Sequence, residues 1–215
     1  MAKVSPPKYS LRRSDCRSRA RYSAGLRRWR GWAANVDRLN LKRRNAFYGD
    51  WWDEAAQWRT GGFDRLCGGV PGSPTTGELA AGGVRGTLFV HQLLTVRPGC
   101  PLDYLAAVVE EQVPLWREYG HEPTGIYEVL GNQHEVVVVW ASSISAQTRL
   151  RAARDAARGL ADGADADDRL VAWERQSATW VTGGDTHLMT PMPGTVYGPA
   201  DWDEATLDDW LPPAP

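Results

Sequence analysis

The 215-residue chain reads as an α+β protein built on one β-α-β-β-α-β unit at about residues 85–198. Segments 87–96, 124–130 and 135–141 are rich in β-branched and aromatic residues, and they alternate with stretches whose apolar residues recur at spacings of three and four. Segments 124–130 and 135–141 are joined by Gly131-Asn132-Gln133-His134, a connection short enough to force an antiparallel hairpin. The strands are also apolar on both faces, as expected of a sheet that must be covered twice.

The chain begins with a basic head. Residues 1–44 hold eleven Arg and three Lys against Asp15 and Asp37, a surplus of twelve positive charges, so with a total of −1 the remainder carries −13. Residues 1–49 are read as a basic, largely irregular segment, with a short helix expected near 26–41. Trp29 and Trp32, interleaved with Arg27, Arg28 and Arg30, have the pattern of an arm for nucleic acid or an anionic surface. The acidic body supplies no second basic surface to back it, so a solvated head is favoured and nucleic acid is not an expected partner.

The next segment carries a repeat. Residues 58–72 align without a gap on residues 180–194, and Trp, Thr, Gly, Gly, Leu, Pro and Gly coincide. The chain before Trp58 is too short for a second full unit. Residues 50–84 are therefore read as the closing helix of a truncated first copy, at 51–59, followed by a Gly, Pro, Ser and Thr linker at 68–77.

Within the unit, residues 87–96 form the first strand, stopped by Pro98-Gly99. Pro101 suits the first turn of a helix carrying Leu102, Leu105, Val108, Val109, Val113, Trp116 and Tyr119, with Gly120 after its end. Pro114 lacks a backbone donor inside this pattern and predicts a kink or break near Gln112. Ser145 is expected to cap a second, more exposed helix through Leu160. After an acidic interruption at 162–168, a helix is expected over 169–181 and a short last strand over 186–191. Residues 199–215 read as an acidic, Pro-rich tail.

A ferredoxin-like unit of this order packs both helices on one face of its sheet and leaves the other open. In the first strand Leu88, Val90, Leu94 and Val96 oppose Phe89, His91, Leu93 and Thr95. In the third, Val136, Val138 and Trp140 oppose Val137, Val139 and Ala141. Leaving four or five such side chains exposed forfeits about 10 kcal/mol, so the open face calls for a cover, and an identical sheet is the simplest one.

Residues 89–99, the helix ending in Leu115-Trp116-Arg117-Glu118-Tyr119-Gly120-His121, then Gly125-Ile126-Tyr127-Glu128-Val129 and residues 135–141, together resemble the NIPSNAP domain. The shared pattern is a strand ending in a Pro-Gly turn, a helix closing on Gly, and a third strand ending in an aromatic residue. It covers about half the chain. The resemblance implies a dimeric α/β barrel in which two sheets face each other, and tandem units, in keeping with the repeat. It implies no catalytic residues. The shortened first copy favours pairing between chains over pairing within one.

Candidate chemistry centres on His91, mid-strand on the face shared with Phe89 and Leu93. It is a candidate general base or axial ligand, weighed against a hydrogen-bonded interface histidine, which is favoured. Phe89, His91, Leu93, Tyr127 and Trp140 are the candidate pocket residues for a small apolar ligand held between sheets. Glu128 lies opposite Tyr127 and is assigned to the rim. His121, His134 and His187 show no metal-ligand spacing, and no metal or cofactor is expected. Cys100 opens a helix, where a thiol is acidified, but helix capping beside Pro101 is favoured. Phosphate loops, nucleophile elbows and paired-carboxylate motifs are missing from the sequence.

Function is therefore expected to be that of a dimerising NIPSNAP-like protein, not an evident enzyme. The alternative is a cofactor-independent monooxygenase or haem-binding enzyme of the dimeric α/β-barrel kind, with His91 at its centre. Three distant cysteines, a start without an apolar run and no stretch of membrane-spanning length predict a reduced, cytoplasmic chain.

Overall fold

The computed structural model describes residues 46–58, 65–162 and 165–192, together with Ala33, Ala34, Asp37, Thr195, Tyr197 and Gly198. The basic head, the helix expected near 26–41 and the acidic tail lie outside the described residues, apart from those few positions.

The elements are α1 (Ala46–Ala56), β1 (Cys67–Gly69), α2 (Thr76–Ala81), β2 (Leu88–Val96), α3 (Pro101–Ala107), a π-turn (Val108–Gln112) and α4 (Val113–Glu118). They continue with β3 (Glu122–Val129), β4 (Glu135–Ser142), α5 (Ile144–Ala157), α6 (Asp168–Ser177) and β5 (Val181–Met189). The strands form one antiparallel sheet in the order β1-β3-β4-β2-β5. From β2 onward the chain follows strand, helix, strand, strand, helix, strand. The order β3-β4-β2-β5 is compatible with a ferredoxin-like unit.

Helical segments from α3 to α6 pack on one face of this sheet. Val90 and Val96 of β2, Ile126 of β3, and Val136, Val138 and Trp140 of β4 are each no more than 2% exposed. They meet Tyr104, Leu105, Val108, Leu150, Ala153, Leu170 and Trp173 from the helices. Tyr104 stacks on Trp173 and meets Trp180 edge-on, and Trp116 lies 4.6 Å from Trp140 between ring centroids. Burial of each large side chain here contributes about 1.5–3 kcal/mol. Helix α5 buries only Ala146, Leu150 and Ala153, so it is the more exposed helix that its Ala, Arg and Asp content predicts.

Several boundaries differ from expectation, each for a physical reason. Pro114 neither breaks nor ends its helix. Because it has no N–H to continue the α-pattern, the preceding turn widens, and Val113 N–H donates to Val108 O five residues back. Ser143, not Ser145, caps α5, its hydroxyl accepting from Ala146 N, while Ser145 Oγ pairs with Ser143 Oγ.

The last strand starts at Val181, not 186, and takes up the last residue assigned to the preceding helix together with residues 182–185. Thr182-Gly183-Gly184 resembles a turn in sequence, yet it pairs with β2 across a bulge at Thr95 and Val96. Gly184 has φ +137, and a Cβ there would lie 2.4 Å from Leu93 O, so this close approach requires glycine.

The segment read as a linker is partly ordered structure. Cys67–Gly69 pairs with β3, and Thr75 caps α2 through a reciprocal capping box with Glu78. α1 overlaps the helix expected over 51–59 but starts earlier. Segments 58–72 and 180–194, the two halves of the sequence repeat, thus contribute to opposite edges of one sheet, β1 beside β3 and β5 beside β2. Cys100 is disulfide-bonded, while Cys67 is a free thiol. The expectation of three reduced cysteines therefore fails at Cys100: an odd number of cysteines leaves one pair possible.

Candidate functional site

The face of the sheet opposite α3–α6 is set by strand alternation. β2 contributes Phe89, His91, Leu93 and Thr95, β4 contributes Glu135, Val137, Val139 and Ala141, β3 contributes Gly125 and Tyr127, and β5 contributes Asp185, His187 and Met189. Val137 and Ala141 in its middle are buried, whereas Phe89, His91, Leu93, Val139 and Tyr127 are partly buried.

His91 sits between two strands that fix it differently. On one side it pairs with Val139 of β4, and on the other with His187 of β5, whose ring centroid is 6.2 Å away. Partial burial against these apolar neighbours lowers the His91 pKa, and the charges of His187 and Arg65 lower it further. At neutral pH the ring is a neutral donor and acceptor.

Arg65, just before β1, reaches over to Glu135 at the start of β4 in a bidentate pair, with Nε to Oε2 at 2.8 Å and Nη2 to Oε1 at 3.2 Å. This contact holds the Glu135 carboxyl below the usual carboxylate range. Cys67 follows two residues later, and burial raises its thiol pKa, so it is not an activated nucleophile.

Tyr127 owes its position to Gly125. A Cβ on Gly125 would fall 2.0 Å from Tyr127 Cε2 and 2.5 Å from its hydroxyl, so the ring lies back along its own strand over the glycine. That puts the hydroxyl two strands from His91, on the order of 10 Å away. Burial, with Cys67 and Tyr197 nearby, raises the Tyr127 pKa and keeps it a neutral donor.

Of the five pocket residues predicted from sequence, Phe89, His91, Leu93 and Tyr127 thus share one face. Trp140 does not join them. It is fully buried on the helix-covered face, where its Nε1 donates to Gln92 Oε1 at 3.0 Å. Sequence reasoning missed the partnership of His187 with His91, because the start of β5 was placed five residues late. Arg65 also went unnoticed, since no local pattern links it to a residue seventy positions on.

No family model and no curated protein matches this chain. Among the described residues no cluster of three or more His, Cys, Asp or Glu side chains is placed to hold a metal ion. No described helix is long and apolar enough to cross a membrane.

The chemistry available on the open face is therefore limited and specific. It offers an apolar surface from Phe89, Leu93, Val137 and Val139, a pair of imidazoles at its β2–β5 side, and a phenol toward its β3 side. Such a surface can accommodate an apolar molecule and offer it one or two hydrogen bonds.

Proposed function

We propose that this chain is a NIPSNAP-like binding protein that dimerises through the open face of its sheet and holds a small apolar ligand between the two sheets. The single observation that carries this reading is the composition of that face, with Phe89, Leu93, Val137, Val139 and Tyr127 gathered around the His91–His187 pair on the side opposite the helices. A partner sheet removes this apolar area from water, and space between the two faces takes the ligand. The strand order β3-β4-β2-β5 supports a barrel made from two such sheets.

The reading is tested by binding an uncharged apolar fluorophore, Nile red, to the wild type, His91→Ala and Leu93→Asp. Binding to the wild type that is lost in Leu93→Asp supports it. Binding unchanged in both variants contradicts it.

The His91–His187 pair also favours one second reading, a haem-binding or cofactor-independent oxygenase site on the same face. A haem titration and an oxygenase screen separate the two. A Soret shift or an oxygenase activity in the wild type that disappears in His91→Ala supports the enzyme, and no effect in either retires it.

A further inference from the structure

A cavity lies on the helix-covered face of the sheet, away from His91. It is a cleft of about 310 Å³ between the helix-side surface of β2 and β5 and helices α5 and α6. That volume falls at the small end of the usual range for ligand sites, roughly 300–1,000 Å³. The cleft opens along β5, where Leu188 points to the helix side yet remains 55% exposed.

Its walls combine aromatic rings with polar groups left unsatisfied. Trp116, partly buried, and Trp173, 7% exposed, contribute to its apolar wall. Gln112 lines the cleft, is 2% exposed, and has no partner for its Oε1. A buried amide acceptor without a hydrogen bond costs about 1–3 kcal/mol, so its persistence calls for an explanation. The π-turn provides the geometry. It widens the helix at Val108–Gln112 and delivers Gln112 inward beside Val108 and Val113. A half-turn of the terminal amide presents either a donor or an acceptor to an occupant.

Charge around the cleft is uneven. Glu174 is neutralised by Arg154 and Arg158. Arg151, exposed at the cleft's edge, forms no ion pair among the described residues. One positive charge is thus left facing a cavity with aromatic walls.

We propose that this cleft is a binding site for a small aromatic carboxylate, its ring between Trp116 and Trp173, its carboxylate at Arg151 and a polar substituent on Gln112. The site is separate from the open face, and the two readings stand or fall independently. Aromatic walls and a planar guanidinium suit a flat anion better than an aliphatic or cationic one.

Calorimetric titration of the full chain with indole carboxylate and naphthoate, each beside its uncharged amide, tests the assignment. The carboxylates are expected to bind more tightly than the amides. Arg151→Gln, an exposed change that leaves the core intact, is expected to weaken the carboxylates about fivefold and the amides not at all. Gln112→Met, which keeps volume and removes the amide, is expected to weaken indole carboxylate and its amide, whose ring N–H meets Gln112, about tenfold, and naphthoate and its amide, which carry no such group, far less, and His91→Ala is expected to weaken none of them. Absence of binding at millimolar probe, equal binding of acid and amide with no response to Arg151→Gln, or loss of binding in His91→Ala overturns it.

Discussion

His91 and His187 face each other across β2 and β5 with ring centroids 6.2 Å apart, on the side of the sheet opposite helices α3–α6. A charge on His187 at this separation disfavours protonation of His91. The His91 pKa is lowered by burial first and by His187 second. In a proton NMR titration His91 should reach its midpoint below the ordinary histidine value of 6.5. Replacement of His187 by Gln removes one of the charges opposing it and should move that midpoint upward. A midpoint unaffected by His187→Gln would show that the two rings are not coupled.

His121 makes a separate prediction about stability. It is 1% exposed, packs against Trp116 at 5.1 Å, and neither ring nitrogen has a hydrogen-bond partner. Burial brings its pKa down to about 4, Arg149 adds to this, and the Ala146 backbone offsets it in part without reaching hydrogen-bond geometry. The folded state then binds fewer protons than the unfolded one, in which the pKa is near 6.5. Stability should be full above pH 6.5, fall by about 3 kcal/mol between pH 6.5 and 4, and level off below. Urea unfolding at a series of pH values checks this, and in His121→Phe the decline over that window should shrink.

Gly125 and Tyr127 test the packing of the open face. Gly125→Ala puts a methyl where the Tyr127 ring lies and should destabilise the fold by about 1–3 kcal/mol. In a Tyr127→Ser background the same change should cost much less, because the obstacle has gone. Equal costs in both backgrounds, measured by thermal unfolding, would place the ring elsewhere.

The start of α5 distinguishes two serines. Ser143→Ala removes the oxygen that accepts from Ala146 N and should lower stability by about 1 kcal/mol, whereas Ser145→Ala should have little effect. Denaturant midpoints for the two variants decide the matter.

Much of the fold was legible because strong patterns recorded it. Residues 87–96 and 135–141 announce strands through β-branched residues in alternation, and the four-residue hairpin loop fixed their direction. Pro114 signalled a disturbance, although periodicity alone cannot tell a break from a π-turn, since both answer the same missing N–H. Thr182-Gly183-Gly184 misled because glycine marks turns more often than strands. Only the close approach to Leu93 O reveals why it stands in β5. The candidate site was half legible: alternation gathered Phe89, His91 and Leu93, but the pairing of His91 with His187 depends on a register set by that late strand. Gln112 lay beyond pattern reading, because its inward direction follows from the widened turn.

The central claim is that the open face is covered by a second copy of the same sheet. Light scattering on the full chain over a range of concentrations, with Leu93→Asp alongside, tests it most directly. The account predicts a wild-type particle of twice 23.8 kDa and a folded Leu93→Asp particle of 23.8 kDa. A wild type that scatters as a single 23.8 kDa chain at every concentration would contradict it.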